Sequence, residues 1–224
     1  MPSNGHLAEL YEGSWAEPAR NLNETGGTDA ELASVYAWKL ARSLGRKDFG
    51  GLRLLEFGAG KGEMLAALRE MAAEVVAVEP FGYRYLEQQG FPAVPSLDAL
   101  PPGAKFDGIL TINVIEHLST PWKELQRFRE FLKESGWLFV TTPNAAGLNA
   151  KLRGSQWREA QKPGHLVFFT PRNLGSLLAR CGYVGSRRLC WPVRYSENPL
   201  RAGCHYTLQL LRLDGELRYV AFNE

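Results

Sequence analysis

Leu54-Leu55-Glu56-Phe57-Gly58-Ala59-Gly60-Lys61-Gly62-Glu63-Met64 decides how this chain folds. The apolar run Leu52, Leu54, Leu55 and Phe57 reads as a buried strand. A glycine turn follows. Met64, Leu65, Leu68 and Met71 then recur at helical spacing. Strand, glycine turn and helix make the first unit of an open α/β sheet, where ligands bind beyond the carboxyl ends of the strands. Gly58 and Gly60 can adopt positive φ and let a ligand approach the backbone.

The charges around the turn narrow the ligand. Glu56 precedes the first glycine by two residues and Glu63 directly follows the third. Two carboxylates repel a pyrophosphate, which a helix N-terminus otherwise attracts. They suit a ligand carrying an amine or a sulfonium. The spacing G-x-G-x-G also departs from the dinucleotide pattern G-x-G-x-x-G, with Glu63 at its last glycine.

Val75 to Pro80 gives a second buried strand that ends in Glu79, about 20 residues after the first glycine. Such folds place there a carboxylate that holds a ribose diol, and Glu79 can accept two hydroxyl hydrogen bonds. On the acid plus G-x-G-x-G turn, the chain resembles the class I S-adenosylmethionine-dependent methyltransferases. The resemblance implies an α/β fold: a Rossmann-like, seven-stranded, mostly parallel sheet with helices on both faces and a closing antiparallel strand. It implies S-adenosylmethionine as cofactor, leaving as S-adenosylhomocysteine. Glu56, Phe57, Gly58, Ala59, Gly60 and Gly62 would hold the donor and Glu79 its ribose, with Pro80 and Phe81 beside the adenine. Phe91 to Leu100 is a short third strand and turn, from which Ser96 and Leu97, with Asp98, are candidates for the adenine edge; their alternative is ordinary turn structure.

Phe106 to Leu118 is the second informative stretch. Ile109 to Ile112 reads as a buried strand opening into a polar loop at the topological switch point. Ser119 or Thr120 with Pro121 starts a helix. Trp122, Leu125, Phe128 and Phe131 are expected on its inner face and Gly136 as its stop. Ile115-Glu116-His117-Leu118 before this helix, with His165-Leu166-Val167-Phe168-Phe169-Thr170-Pro171 further on, resembles the ubiquinone-biosynthesis O-methyltransferase group. There the residues just before Glu-His contact the methionine part of the cofactor, which carries over to Ile112 and Asn113. Some of those enzymes have an acid at the position of Asn113 as part of a divalent-metal site. An amide is a poorer ligand, so no metal is expected.

Methyl transfer from a sulfonium is an in-line displacement in which the protein mainly aligns the partners. A hydroxyl acceptor also needs a base. His117, next to Glu116, and His165 are the candidates, each with a structural alternative: a loop-structuring contact for His117 and an anchor for His165. The expected function is methylation of a small-molecule acceptor, O-directed. The alternatives are N- or C-methylation and a catalytically silent methyltransferase fold. A nicotinamide oxidoreductase is opposed by the glycine spacing and the flanking acids.

Around these motifs, residues 1–27 form an arm that either covers the site or packs outside, and 28–224 the methyltransferase domain. Thr28-Asp29-Ala30-Glu31 is a capping box opening a helix to about Leu44. Trp137 to Asn144 is the fifth strand. The stretch 145–164 is a lid-like insert whose Lys151, Arg153 and Arg158 read as a solvated face, or as a hold for an anionic acceptor. Thr170 and Pro171 start a helix that Gly182 ends. The final strands are expected at Tyr183–Trp191 and His205–Leu213, with 215–224 unassigned.

The 224 residues, 45% of them hydrophobic, suffice for a sizeable core. The net charge of +2 carries no basic block, and the Asn/Asp-Pro-Pro-aromatic and Pro-Cys motifs of nucleic-acid methylating enzymes are absent, so no nucleic-acid partner is expected. No apolar run approaches the ~20 residues of a membrane span. Met1 to Leu10 is too polar for a signal peptide. These features suggest a cytoplasmic monomer or homodimer. Cys181, Cys190 and Cys204 form neither a disulfide framework nor a zinc pattern.

Overall fold

The computed structural model describes residues 29–191 and 199–224. Thr28, the arm at 1–27 and the stretch 192–198 lie outside these residues.

Helix α1 (Asp29–Ser43) precedes the first strand, β1 (Arg53–Phe57). The glycine turn leads into α2 (Glu63–Glu70), followed by β2 (Glu74–Val78), α3 (Tyr83–Gln88) and the short β3 (Ala93–Val94). Then come β4 (Phe106–Ile112), α4 (Pro121–Phe131) and β5 (Leu132–Pro143). The insert after β5 folds into α5 (Leu148–Arg153), a 3-10 turn and α6 (Arg158–Gln161). Finally α7 (Pro171–Arg180), β6 (Val184–Arg188), α8 (Pro199–Leu210) and β7 (Glu216–Phe222) complete the chain.

The seven strands lie in the order β3-β2-β1-β4-β5-β7-β6. The four pairings among β1 to β5 are parallel, and β7 runs antiparallel to both β5 and β6. Chain order reverses between β1 and β4, and that is where a crevice opens.

Because side chains alternate along a strand, each strand feeds two layers. Leu54, Val75, Ala77, Leu110, Phe139 and Val220 pack with α1 and α2 on one face. Leu55, Val76, Val78, Ile109, Leu138 and Val140 pack with α4 and α7 on the other. Glu56 stands in line with Leu54, so its carboxylate is driven to the α1–α2 side.

One expectation fails at the C-terminal end. His205–Leu213 is not a strand: residues through Leu210 belong to α8, and Tyr206 and Leu210 are more than half exposed. The antiparallel strand inserted between β5 and β6 is instead β7, in the stretch left unassigned. That place is covered on both faces and needs consecutive apolar bulk, which Leu217 to Ala221 supply, apart from Arg218. The helix α4 also stops at Phe131 rather than Gly136, because Leu132 already pairs with Phe106 of β4. Its inner face is Pro121, Leu125 and Phe128, and Trp122 lies about 100° away, 46% exposed. The insert at 145–164 is largely helical, with Lys151, Arg153 and Arg158 all exposed.

Candidate active site

At the end of β1 the backbone turns on three residues of positive φ: Gly58 (77°), Gly60 (53°) and Gly62 (87°). Gly58 N–H bonds Val78 O at 2.8 Å, tying the turn to β2. A Cβ on Gly58 would lie 2.4 Å from Val114 Cγ2, in the loop after β4. A Cβ on Gly60 would meet nothing within 4 Å. Gly58 is thus required by packing as well as backbone angle, and Gly60 by backbone angle with its surface left open.

Glu79, buried just past β2, grips the same turn. Its two oxygens accept from Gly60 N–H at 3.0 Å and Phe81 N–H at 3.2 Å. Burial raises its pKa, and the backbone donors partly oppose this.

The crevice holds a cavity of about 250 Å³. Of the residues named from sequence, Glu56, Gly58, Ala59, Gly60, Ile112 and Asn113 line it. Glu56 is 3% exposed and its Oε2 has no hydrogen-bond partner. Burial, then the charges of Glu63 and Glu79, push its pKa well above the ordinary carboxylate value. Asn113 holds a left-handed φ of 53° and its N–H bonds Thr141 O at 3.1 Å.

The remaining named residues lie outside the lining. Phe57 points to the opposite layer and meets Phe128 edge-on at 4.9 Å between centroids. Gly62 caps α2. Pro80 and Phe81 follow Glu79, and Phe81 is 39% exposed. Leu97 is buried in the core of the opposite layer, in a 3-10 turn that Ser96 precedes.

Sequence reasoning missed part of the wall: Leu32, Ala33 and Tyr36 of α1, Met64 of α2 and Glu216 of β7. Leu32, Val35, Tyr36 and Leu40 recur at helical spacing, which marks Tyr36 as part of an apolar face rather than as a site residue. Glu216 is hidden because the stretch 215–224, which holds the apolar run of β7, is unassigned from sequence. Glu63, singled out by its charge, also lines the cavity.

The two candidate bases come together away from that lining. His117 and His165 stack edge-to-face at 4.6 Å between ring centroids. His117 Nδ1 lies 3.0 Å from Gly164 O, so Nδ1–H donates and Nε2 is the proton-accepting atom. Burial lowers the His117 pKa. His165 falls to about 4, through burial first and then the neighbouring His117 and Lys162.

Glu116 is 1% exposed; Thr142 Oγ1 donates to its Oε2 at 2.9 Å. Burial raises its pKa to about 7. Its backbone O accepts from Leu166 and Val167, anchoring the segment that carries His165.

Glu116, His117 and His165 each place one ligand atom within 4.8 Å of the others. A carboxylate and two imidazoles form a donor set able to take a divalent ion. The expectation of no metal was argued from Asn113, whose N–H donates to Thr141 Oγ1, whereas Glu116 accepts from Thr142, the next residue of β5. A second cavity, about 450 Å³, opens between α4 and α7 beside Trp122 and Leu177 and contains none of the turn residues.

A sheet of this order, with its reversed last strand and a cavity at the glycine turn, is the architecture of the class I S-adenosylmethionine-dependent methyltransferases. The chain belongs to the methyltransferase domain family, whose model matches residues 28–185. It is 29% identical over 150 residues to a ubiquinone biosynthesis O-methyltransferase of Cereibacter sphaeroides, a match covering 60% of this chain and 61% of that protein. The match thus spans about three fifths of that relative's length. Among solved structures, it is similar to a SAM-dependent methyltransferase from Archaeoglobus fulgidus, with a TM-score of 0.62 and 18% identity over 96% of this chain and 99% of that one. It is also similar to the Burkholderia thailandensis 1,6-didemethyltoxoflavin N1-methyltransferase, solved with S-adenosylhomocysteine. There the TM-score is 0.59 and the identity 19%, covering 100% and 91% of the two chains.

Proposed function

We propose that this chain transfers a methyl group from S-adenosylmethionine to a hydroxyl of a small-molecule acceptor. The observation that carries the reading is the buried Glu56 carboxylate at the glycine turn, whose Oε2 has no hydrogen-bond partner and which shares its cavity with Glu63 and Glu216. A cavity walled by acids favours a cationic ligand, and the donor is a sulfonium. The adenosyl end lies toward Glu79, whose fixed oxygens suit a ribose diol. Ile112 and Asn113 flank the methionine part. The name of the curated relatives favours oxygen as the acceptor atom.

In the transfer, the acceptor oxygen attacks the methyl carbon in line with the departing sulfur. The C–S bond breaks as the C–O bond forms, and the sulfonium becomes a neutral thioether. The acceptor proton goes to a base, for which His117 is the candidate: its Nδ1 hydrogen bond sets the tautomer and burial keeps the ring neutral. His165, whose pKa is lower still, is the second candidate.

Isothermal titration with S-adenosylmethionine tests the donor, and mass spectrometry of small phenols and alcohols incubated with protein and donor tests the transfer. Absence of donor binding would overturn the reading.

A further inference from the structure

Part of the cavity wall comes from outside the sequence motifs. Tyr36 on α1 donates its hydroxyl hydrogen to Glu216 Oε2, at the first residue of β7. The same oxygen takes Arg218 Nη2 at 2.5 Å, and Arg218 Nε donates to the Tyr36 oxygen at 2.9 Å. Arg218 is fully buried and also reaches Asp214 at 3.2 Å, whose other oxygen pairs with Arg188 at 2.6 Å. Among the described residues, two arginines thus pair with two carboxylates here, and Glu56 and Glu63 add two more acidic groups to the cavity that Glu216 lines.

Glu56 Oε2 is buried without a partner, and among the described residues no lysine or arginine lines the cavity. A buried carboxylate oxygen left unmatched is costly, so a ligand group that donates to it is strongly favoured. The methyl donor has two cationic centres. Its sulfonium has no hydrogen to donate. Its ammonium has three, enough to bridge two carboxylates.

We propose that the α-ammonium of the donor is held between Glu56 and Glu216, with Tyr36 and Arg218 as the positioning residues for Glu216. The inference rests on the methyltransferase reading above and adds the recognition point that its motifs do not contain.

The test is calorimetry with two uncharged-sulfur ligands. S-adenosylhomocysteine keeps the ammonium, and 5′-methylthioadenosine has the same nucleoside thioether without the amino acid. Glu216→Gln is expected to weaken the first roughly tenfold or more, the usual worth of a hydrogen bond to a charged group, and to leave the second within about twofold. Tyr36→Phe keeps the carboxylate and should give a smaller loss with the same ligand preference. Unchanged affinity of Glu216→Gln for S-adenosylhomocysteine, or equal losses for both ligands, would overturn the proposal. If Glu216→Gln melts before titration, Tyr36→Phe decides by the same comparison. Wild-type protein that binds both ligands equally would sink the ammonium site alone, whereas protein that binds neither would sink the methyltransferase reading itself.

Discussion

Glu56 is a carboxylate placed where a hydrophobic side chain would pack, and its energetics follow from that placement. With its pKa raised, the folded state holds the Glu56 proton at pH values where the unfolded chain, near 4.5, has released it. The native state then binds more protons than the unfolded one, so this residue's contribution to stability falls as pH rises above about 4.5. Glu56→Gln does not titrate. Its melting temperature minus that of the wild type should therefore grow as pH is raised from 4.5 to 8, and a flat difference would refute the buried-charge assignment. His117 makes a separate prediction. If it accepts the acceptor's proton, His117→Ala lowers turnover by roughly a hundredfold while donor affinity in calorimetry stays unchanged. Unaltered turnover would leave His117 as the anchor of Gly164. Both residues were legible in sequence by type and position. Neither the missing partner of Glu56 nor the tautomer of His117 was, because each depends on groups distant in the chain.

At the scale of elements, the glycine turn is held by two different constraints that substitution can separate. Gly60→Ala meets only the cost of a left-handed conformation, about 1–2 kcal/mol. Gly58→Ala adds a methyl 2.4 Å from Val114, so urea titration should show a larger loss for Gly58→Ala than for Gly60→Ala. Helix α7 offers a local counterpart. Thr170 and Asn173 form a reciprocal capping box, with Asn173 N–H donating to Thr170 Oγ1 at 3.3 Å and Thr170 N–H donating to Asn173 Oδ1. Thr170→Ala should cost about 1 kcal/mol in the same assay. These starts were readable from Thr-Pro and Gly patterns. The end of α4 was not, since Gly136 is a plausible stop, and only pairing of Leu132 with Phe106 pulls the chain out of the helix earlier.

Across the whole molecule, the C-terminal strand closes the sheet and completes the cavity at once. Arg218, buried in β7, joins Asp214, Glu216 and Tyr36, and through Tyr36 ties the sheet to α1. Arg218→Met would leave two buried or half-buried carboxylates with one arginine between them, and should cost about 3–5 kcal/mol in urea titration. The exposed pair Arg127–Asp98, at 2.5 Å, should cost under about 1 kcal/mol on Arg127→Ala, and a comparable loss for the two variants would deny the burial argument. The sequence by itself determined the parallel half of the sheet, the turn and the acid that grips it, because each is written in neighbouring residues: apolar runs, glycines and a carboxylate at a strand end. Only the tertiary structure decided that 205–210 is helical, that 216–222 is the closing strand, and that Tyr36 and Glu216 meet in the wall of the cavity that Glu56 lines. Those outcomes depend on which segment can be buried on both faces of a sheet and which distant charges can be paired there, and neither is a local property of the chain.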